Sequence, residues 1–333
     1  MNLFKTPALY SLLVFLFILQ RASSQKLDTI KIDNQQSILN NRAFFTFPTG
    51  AQNIKRGVDI MSADPNENEE TRIVLDIGTM RLVFFARELF TLTDNNFVKT
   101  ISEQNEEAGY KVKVLTDKEG LQSVLSTPTM WDSTKDAILI NDLLVKMTDQ
   151  SLFQIDAFIN PAAITLKNEF QKLTETVFQT LQAGTRMVNR SARREKKGVE
   201  GTKTSLLFTL PQDYFITVDQ QYDFQVFKIH KYRMLGDTAW QQLVIYAGYH
   251  PSSIYSDYGL GEREAKKIKG KFLNKPVEWW NFFIPGENFF DKEQLIPSDA
   301  ISKGLILHIA MMSNQQKQID ELTKIVEAIQ LSN

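Results

Sequence analysis

The chain has 333 residues, 43% of them hydrophobic, with 23 Phe and no Cys. That composition suits packed globular domains and excludes wholesale disorder. The missing cysteine excludes thiol catalysis, disulfides, cysteine-ligated metals and the acylated cysteine of a bacterial lipoprotein. Basic and acidic residues nearly balance, 38 against 39, so no global charge draws the chain to nucleic acid or to an anionic surface.

The N-terminus reads as a secretory signal. Lys5 supplies the positive start, Ala8–Leu19 is apolar but for Ser11, and Ala22-Ser23-Ser24 offers small residues for cleavage before Gln25. The apolar run is shorter than the roughly 20 residues that span a bilayer, and an uncleaved anchor is the alternative. No later stretch is apolar enough to cross. Loss of Lys5 and Arg21 with residues 1–24 takes the net charge from −1 to −3. An exported chain of this size buries its cores without disulfides, so the expected location is the periplasm, or secretion from a Gram-negative cell. Asn189-Arg190-Ser191 would be a glycosylation site only in a eukaryote and is read as a chance triplet.

Residues 25–42 read as a polar leader with a short strand at Thr29–Ile32. Phe44-Phe45-Thr46-Phe47-Pro48 opens a first half. Val58–Ala63 and Arg72–Ile77 read as strands around the acidic turn Asp64–Glu70. Arg81–Phe90 is apolar enough for a buried strand or a short helix. Thr91–Glu106 reads as a helix, capped by Thr93 or Asp94, and Tyr110–Leu115 as a strand. Ala137–Met147 and Leu152–Ile159 form a hairpin around Thr148-Asp149-Gln150-Ser151. An amphipathic helix follows, with Phe170, Leu173, Val177, Phe178 and Leu181 on one stripe.

Residues 183–205 then have no sustained apolar period and carry Arg190, Arg193, Arg194, Lys196 and Lys197, so a flexible basic linker is expected. Leu207-Phe208-Thr209-Leu210-Pro211 opens a second half in the manner of the first. Tyr214–Val218, Phe224–His230 and Trp240–Tyr249 read as strands, and Tyr255–Ile268 as a polar excursion, partly helical from Glu262. Lys271–Leu273, Glu278–Ile284 and Gly304–Met312 resume extended structure. A final helix buries Ile319, Leu322, Ile325, Val326 and Ile329. Strands at hairpin distances predict antiparallel sheets covered by helices, an α+β class, in two tandem similar domains at 25–182 and 206–333.

In each half the order is an opening Phe-x-x-Pro strand, a strand pair, a helical excursion, a hairpin and a closing amphipathic helix. That order resembles the PsbP/Mog-type α/β/α sandwich. The resemblance covers most of residues 43–182 and 206–331 and implies a role in binding or assembly. It carries over no functional residue.

Candidate sites follow from residue chemistry. Asp64, Asn66 and Asn68 alternate as in a calcium loop, but Glu69 and Leu75 stand where an EF-hand needs Gly and the bidentate Glu. A solvated acidic turn explains them equally, and no metal or other cofactor is expected. Tyr246, Tyr249, Tyr255 and Tyr258 flank His250-Pro251-Ser252-Ser253, and Trp279 and Trp280 lie nearby in sequence. Strand alternation sends Trp279 and Asn281 to one face and Trp280 and Phe282 to the other, leaving at least one Trp for an outer, binding face. Ordinary aromatic core is the alternative. His230 and His308 read as core or edge histidines. No nucleophile elbow, H-E-x-x-H, P-loop or dinucleotide fingerprint occurs, and Gly259-Leu260-Gly261 reads as a turn. The basic linker and Lys266–Lys271 are charge patches whose default is solvation.

The expectation is an exported, non-enzymatic binding protein with another envelope protein as partner. It would use Trp279, Trp280, Tyr249, His250, Tyr255 and Tyr258, with the groove between domains as a second candidate. A carbohydrate or small-ligand binder using the same aromatics is one alternative. An envelope hydrolase pairing His250 with Asp257 or Glu262 is the other.

Overall fold

The computed structural model describes residue 27 and residues 29–54, 70–118, 120–131, 134–220, 223–284 and 286–332. The expected leader 1–24, the strand Val58–Ala63 and the turn with Asp64, Asn66 and Asn68 lie outside the described residues. Antiparallel strands dominate and helices are few. No helix among the described residues is long and apolar enough to cross a membrane. The chain divides into two compact units between Val188 and Asn189, apart from residues 90–92.

The first unit runs through β1 (Ile32–Ile38), β2 (Ala43–Pro48), β3 (Gln52–Asn53), β4 (Glu70–Ile77), β5 (Met80–Leu92) and helix α1 (Phe97–Glu107). Then come β6 (Tyr110–Lys118), β7 (Leu121–Pro128), β8 (Ile138–Met147), β9 (Ser151–Ile159), helix α2 (Lys167–Gln179) and β10 (Gln182–Ala183). β1, β2 and β10 make a small sheet, and the large sheet has the order β3-β4-β5-β9-β8-β7-β6. Period-two alternation buries Phe45 and Phe47 of β2. They meet Phe84 and Phe178 edge-on, with centroids 5.1–6.3 Å apart. On α2, Phe170, Val177 and Phe178 are buried, and Thr174 accepts from Asn141 Nδ2 at 2.5 Å, so the one polar residue of the stripe is satisfied.

A buried charge network ties this unit together. Arg42 has no exposed surface; it donates to Asp149 at 2.8 and 3.1 Å and to the Arg186 carbonyl at 3.1 Å, and also bonds Ser151. Glu88 lies 3.4 Å from Arg42 and 3.3 Å from Arg186. The turn that delivers Arg42 is wound through positive φ at Leu39, Asn40 and Asn41 (49°, 51° and 64°). The Leu39 amide donates to Thr71 Oγ1 at 2.8 Å, and its carbonyl accepts from Arg186 Nε at 2.8 Å, which holds that conformation.

The second unit runs through β11 (Arg193–Gly198), β12 (Ser205–Leu210), β13 (Tyr214–Gln220), β14 (Phe224–Lys231), β15 (Arg233–Met234), β16 (Gln241–Gly248) and a short helix α3 (Ile254–Asp257). Then come β17 (Lys266–Phe272), β18 (Lys275–Ile284), β19 (Phe289–Pro297), β20 (Ile306–Ser313), helix α4 (Gln316–Glu327) and β21 (Gln330–Ser332). β11, β12 and β21 form a small sheet, and the large one has the order β13-β14-β16-β20-β19-β18-β17. Helix α4 buries Ile319, Leu322, Ile325 and Val326 against one face of that sheet, and Ile329 is buried just past its end.

Trp279 packs on this α4-covered face, where its indole lies across Gly270 of β17. A Cβ at Gly270 would come within 2.5 Å of Trp279 Nε1 and 2.8 Å of its Cδ1, while a Cβ at Gly198 would meet nothing within 4 Å. Gly270→Ala is therefore expected to destabilise the second unit by about 1–3 kcal/mol in thermal or urea unfolding. Gly198→Ala should be nearly silent, and equal effects would contradict this packing.

Several expectations need correction. The linker is not a free connection, because Arg193–Gly198 forms β11 and pairs with β12. Its strand signal is a charge alternation with no apolar member, in which Arg193, Glu195 and Lys197 share the less exposed side. Thr91 and Leu92 finish β5, and α1 begins only after Asn96, because Asp94 Oδ1 accepts the Asn96 N–H at 2.8 Å in a turn. The expected helix from Glu262 is instead α3 at Ile254–Asp257, followed by turns and β17. Strands β7 and β19 carry no sequence expectation at all.

Candidate functional site

Four neighbouring strands bring a polar cluster together on the face of the second sheet opposite α4. In the register, Trp280 faces Glu293, Phe282 faces Asp291, and His308 faces both Leu295 and Tyr246. Directly opposed residues project to the same side, so Glu293, Asp291, His308, Trp280 and Phe282 share one surface. Helix α3 lies on it. Tyr255 stacks on Phe282 with centroids 4.7 Å apart and meets Trp280 edge-on at 5.6 Å. The Glu293 carboxylate accepts the backbone N–H groups of Ile254 at 3.0 Å and Tyr255 at 2.9 Å, and is hydrogen-bonded to His308 Nε2. Two N–H groups that a helix start leaves unpartnered are thus satisfied by a carboxylate from a remote strand.

Burial would raise Glu293, but its His308 hydrogen bond and the two N–H groups outweigh that and hold it below the usual carboxylate range. Asp291 has no exposed surface, and its carboxyl meets no partner among the described residues other than the adjacent Glu293. Burial, and then the adjacent Glu293, push it up to about 9, so it is a neutral acid near pH 7. Every oxygen of Glu293 is engaged and His308 is only 6% exposed, so the cluster presents no group to a substrate, as general acid–base catalysis requires. Its physical work is to latch the aromatic loop onto the sheet.

The latch has a pH signature. Asp291 binds its proton more tightly folded than unfolded, so its contribution is complete below about pH 4 and is lost as pH rises toward about 9. Asp291→Asn is expected to flatten the fall in the second unit's melting temperature across that window and to raise stability at pH 8. An unchanged pH profile would contradict the assignment.

The expected aromatic site is only partly assembled. Trp279 is fully buried on the opposite face, with Lys292 Nζ 6.0 Å from its ring centroid, and is removed from any surface. Period two assigns the two tryptophans to opposite faces correctly, but the exposed face is not the one Trp279 takes. Tyr255 is buried and Trp280 half-buried, so both serve the latch. Tyr249 and Tyr258 remain exposed at 48% and 44%, with His250 exposed beside Tyr249. No hydrogen bond or ion pair among the described residues joins His250 to Asp257 or Glu262.

The basic stretch does not act as one patch. Arg190 pairs with Asp213 at 2.7 Å, while Arg193 and Lys197 both pair with Glu195, at 2.7 and 3.0 Å. Arg194 and Lys196 alternate to the more exposed side of β11. Among the described residues no group of three or more acidic or histidine side chains is arranged to hold a metal ion.

Sequence reasoning missed two features. One is the Asp291/Glu293 pair, whose signal was two acids at i and i+2 between the apolar pairs Phe289-Phe290 and Leu295-Ile296. The other is a cavity of about 160 Å³ that Tyr249 shares with Phe224, Asp223, Glu200, Thr202 and Gln225. The first unit has its own carboxylate pair on β8 and β9. Asp142 faces Asp156, and burial, then Asp156, push Asp142 up to about 7. There Arg87 lies 3.5 Å from Asp156. Searches against protein-family models, curated proteins and solved structures find no match to this chain.

Proposed function

We propose that the chain is an exported, non-enzymatic binding protein of the bacterial envelope, taking another envelope protein as its partner. The surface is the aromatic loop of the second unit, with Tyr249, His250 and Tyr258 outermost and Trp280 at its base. The observation that carries this reading is the use of Glu293. The buried carboxylate and histidine that a hydrolase would expose are spent on fixing Ile254 and Tyr255, and the loop they fix leaves Tyr249 and Tyr258 largely exposed. Rigid tyrosines offer contact area at low entropic cost.

The fold reading is two tandem domains of one PsbP-like design. It is supported by the strand order: numbered from its own first strand, each large sheet follows the same path, and each small sheet joins an opening hairpin to the strand after the last helix. Export would use residues 1–24 as a leader cleaved before Gln25.

The test compares the mature chain, residues 25–333, with a Tyr249→Ala/Tyr258→Ala variant. Capture from cross-linked envelope extract is followed by titration of the identified partner with purified protein. A partner bound by the wild type and lost by the variant supports the reading. Equal binding by both overturns it, as would ester, peptide or glycoside hydrolysis that His250→Ala abolishes.

A further inference from the structure

The cavity beside Tyr249 lies wholly within the second unit and is lined from four separate segments, one of which contributes only Leu305. The turn between β11 and β12 supplies Glu200 and Thr202, the start of β14 supplies Asp223, Phe224 and Gln225, and the end of β16 supplies Tyr249. Gly248, the last residue of β16, also lines it. The Tyr246 ring lies over that glycine, where a Cβ would fall 2.5 Å from the Tyr246 hydroxyl oxygen. Phe224 in turn stacks on Tyr246, with centroids 5.0 Å apart and planes at 28°. Phe224, backed by the Tyr246 ring, therefore borders one side of the hollow, and Tyr249 closes another.

The charge lining it is one-sided. Glu200 and Asp223 are its only ionisable acids, and no Lys, Arg or His lines it. Neither carboxyl has a hydrogen bond or an ion pair among the described residues. The Gln225 side-chain oxygen already accepts the Glu200 backbone N–H at 3.2 Å, which leaves the Gln225 amide NH₂ as a donor. At about 160 Å³ the cavity is smaller than the roughly 300–1,000 Å³ of sites that enclose whole ligands, so it suits one functional group. Acidic side chains and aromatic faces both attract a cation and both repel an anion.

We propose that this cavity is a recognition site for an organic ammonium group, held between Glu200 and Asp223 with Phe224 and Tyr249 against its alkyl and N–H surface. The inference deepens the binding reading: the ammonium is a lysine side chain presented by the protein partner. A free small amine carries the same chemistry, and the experiment separates the two.

The full mature chain is titrated with N-acetyl-lysine amide, tetramethylammonium, glucose and acetate, while the backbone amides of Thr202, Gly248 and Tyr249 are followed by NMR. Both cations are expected to shift these amides, acetate and glucose to leave them unmoved, and added salt to weaken the effect. Asp223→Asn and Glu200→Gln lie on exposed residues and should keep the native spectrum, while each weakens cation binding about tenfold. Absence of shifts with either cation overturns the proposal. So does cation binding that both variants retain, or preferential binding of glucose.

The identified partner is then titrated against the Asp223→Asn chain. Loss of the partner together with the ammonium assigns the group to the partner's lysine. Cation binding lost with the partner retained assigns the cavity to a free amine and removes the lysine clause. A partner lost from the Tyr249→Ala/Tyr258→Ala chain but held by Asp223→Asn leaves the docking surface standing without this site.

Discussion

Arg42→Ala is expected to destabilise the first unit by about 3–5 kcal/mol, the typical cost of removing one partner from a buried ion network. The guanidinium is the network's hub: it engages Asp149 through two nitrogens, approaches Glu88, and reaches the carbonyl of Arg186. Without it Glu88, whose side chain is 1% exposed, keeps Arg186 as its one cation among the described residues. Burial already pushes Glu88 up to about 7 against the pull of Arg42, then Arg186, so the variant should move it further up. The same change frees the ends of the segment 186–188, whose Val188 N–H is held at 3.0 Å by Asp149. Arg42→Lys should recover little, since an ammonium cannot reproduce the two-nitrogen grip on Asp149. Urea unfolding with a probe in the first unit reads the loss. A change below about 1 kcal/mol, the value of an exposed pair, would contradict it.

Glu293→Ala is expected to have the largest effect in the second unit. It removes two charge-assisted hydrogen bonds to backbone N–H groups and the bond to His308, each worth about 1.5–3 kcal/mol. Water entering the truncated site re-solvates part of what is lost, so a net loss of about 3–5 kcal/mol is expected. The loss should be local before it is global. Hydrogen exchange at Ile254 and Tyr255 should accelerate in Glu293→Ala while the amides of α4 stay protected. Glu293→Gln keeps one acceptor oxygen and should fall between the two. Unchanged exchange at Ile254 and Tyr255 would show that the loop is held by Tyr255 stacking on Phe282 alone.

Most of the scaffold is legible in the amino-acid order, because apolar period is a direct record of which face is buried. The paired openings at Phe44–Pro48 and Leu207–Pro211, the hairpin around Asp149, and the stripes of α2 and α4 all carry that record. The remainder fails for identifiable reasons. β11 alternates basic with paired charges and so has no apolar mark. β19 hides because its face opposite α4 holds Asp291 and Glu293, residues that normally signal solvent. Trp279 is misplaced because alternation assigns residues to two faces but does not say which face a helix covers. The latch and the cavity are assembled from segments distant in sequence, and no local spacing records either.

The decisive measurement is site-specific photo-cross-linking in cells that express the full chain. A photoreactive residue is placed at Tyr258 and, as a control, at Lys99 of the first unit, whose side chain is 76% exposed. One discrete cross-linked protein is expected from position 258, absent from position 99 and lost when Glu293→Ala releases the loop. Adducts of the same species from both positions, or a position 258 adduct indifferent to Glu293, would contradict it.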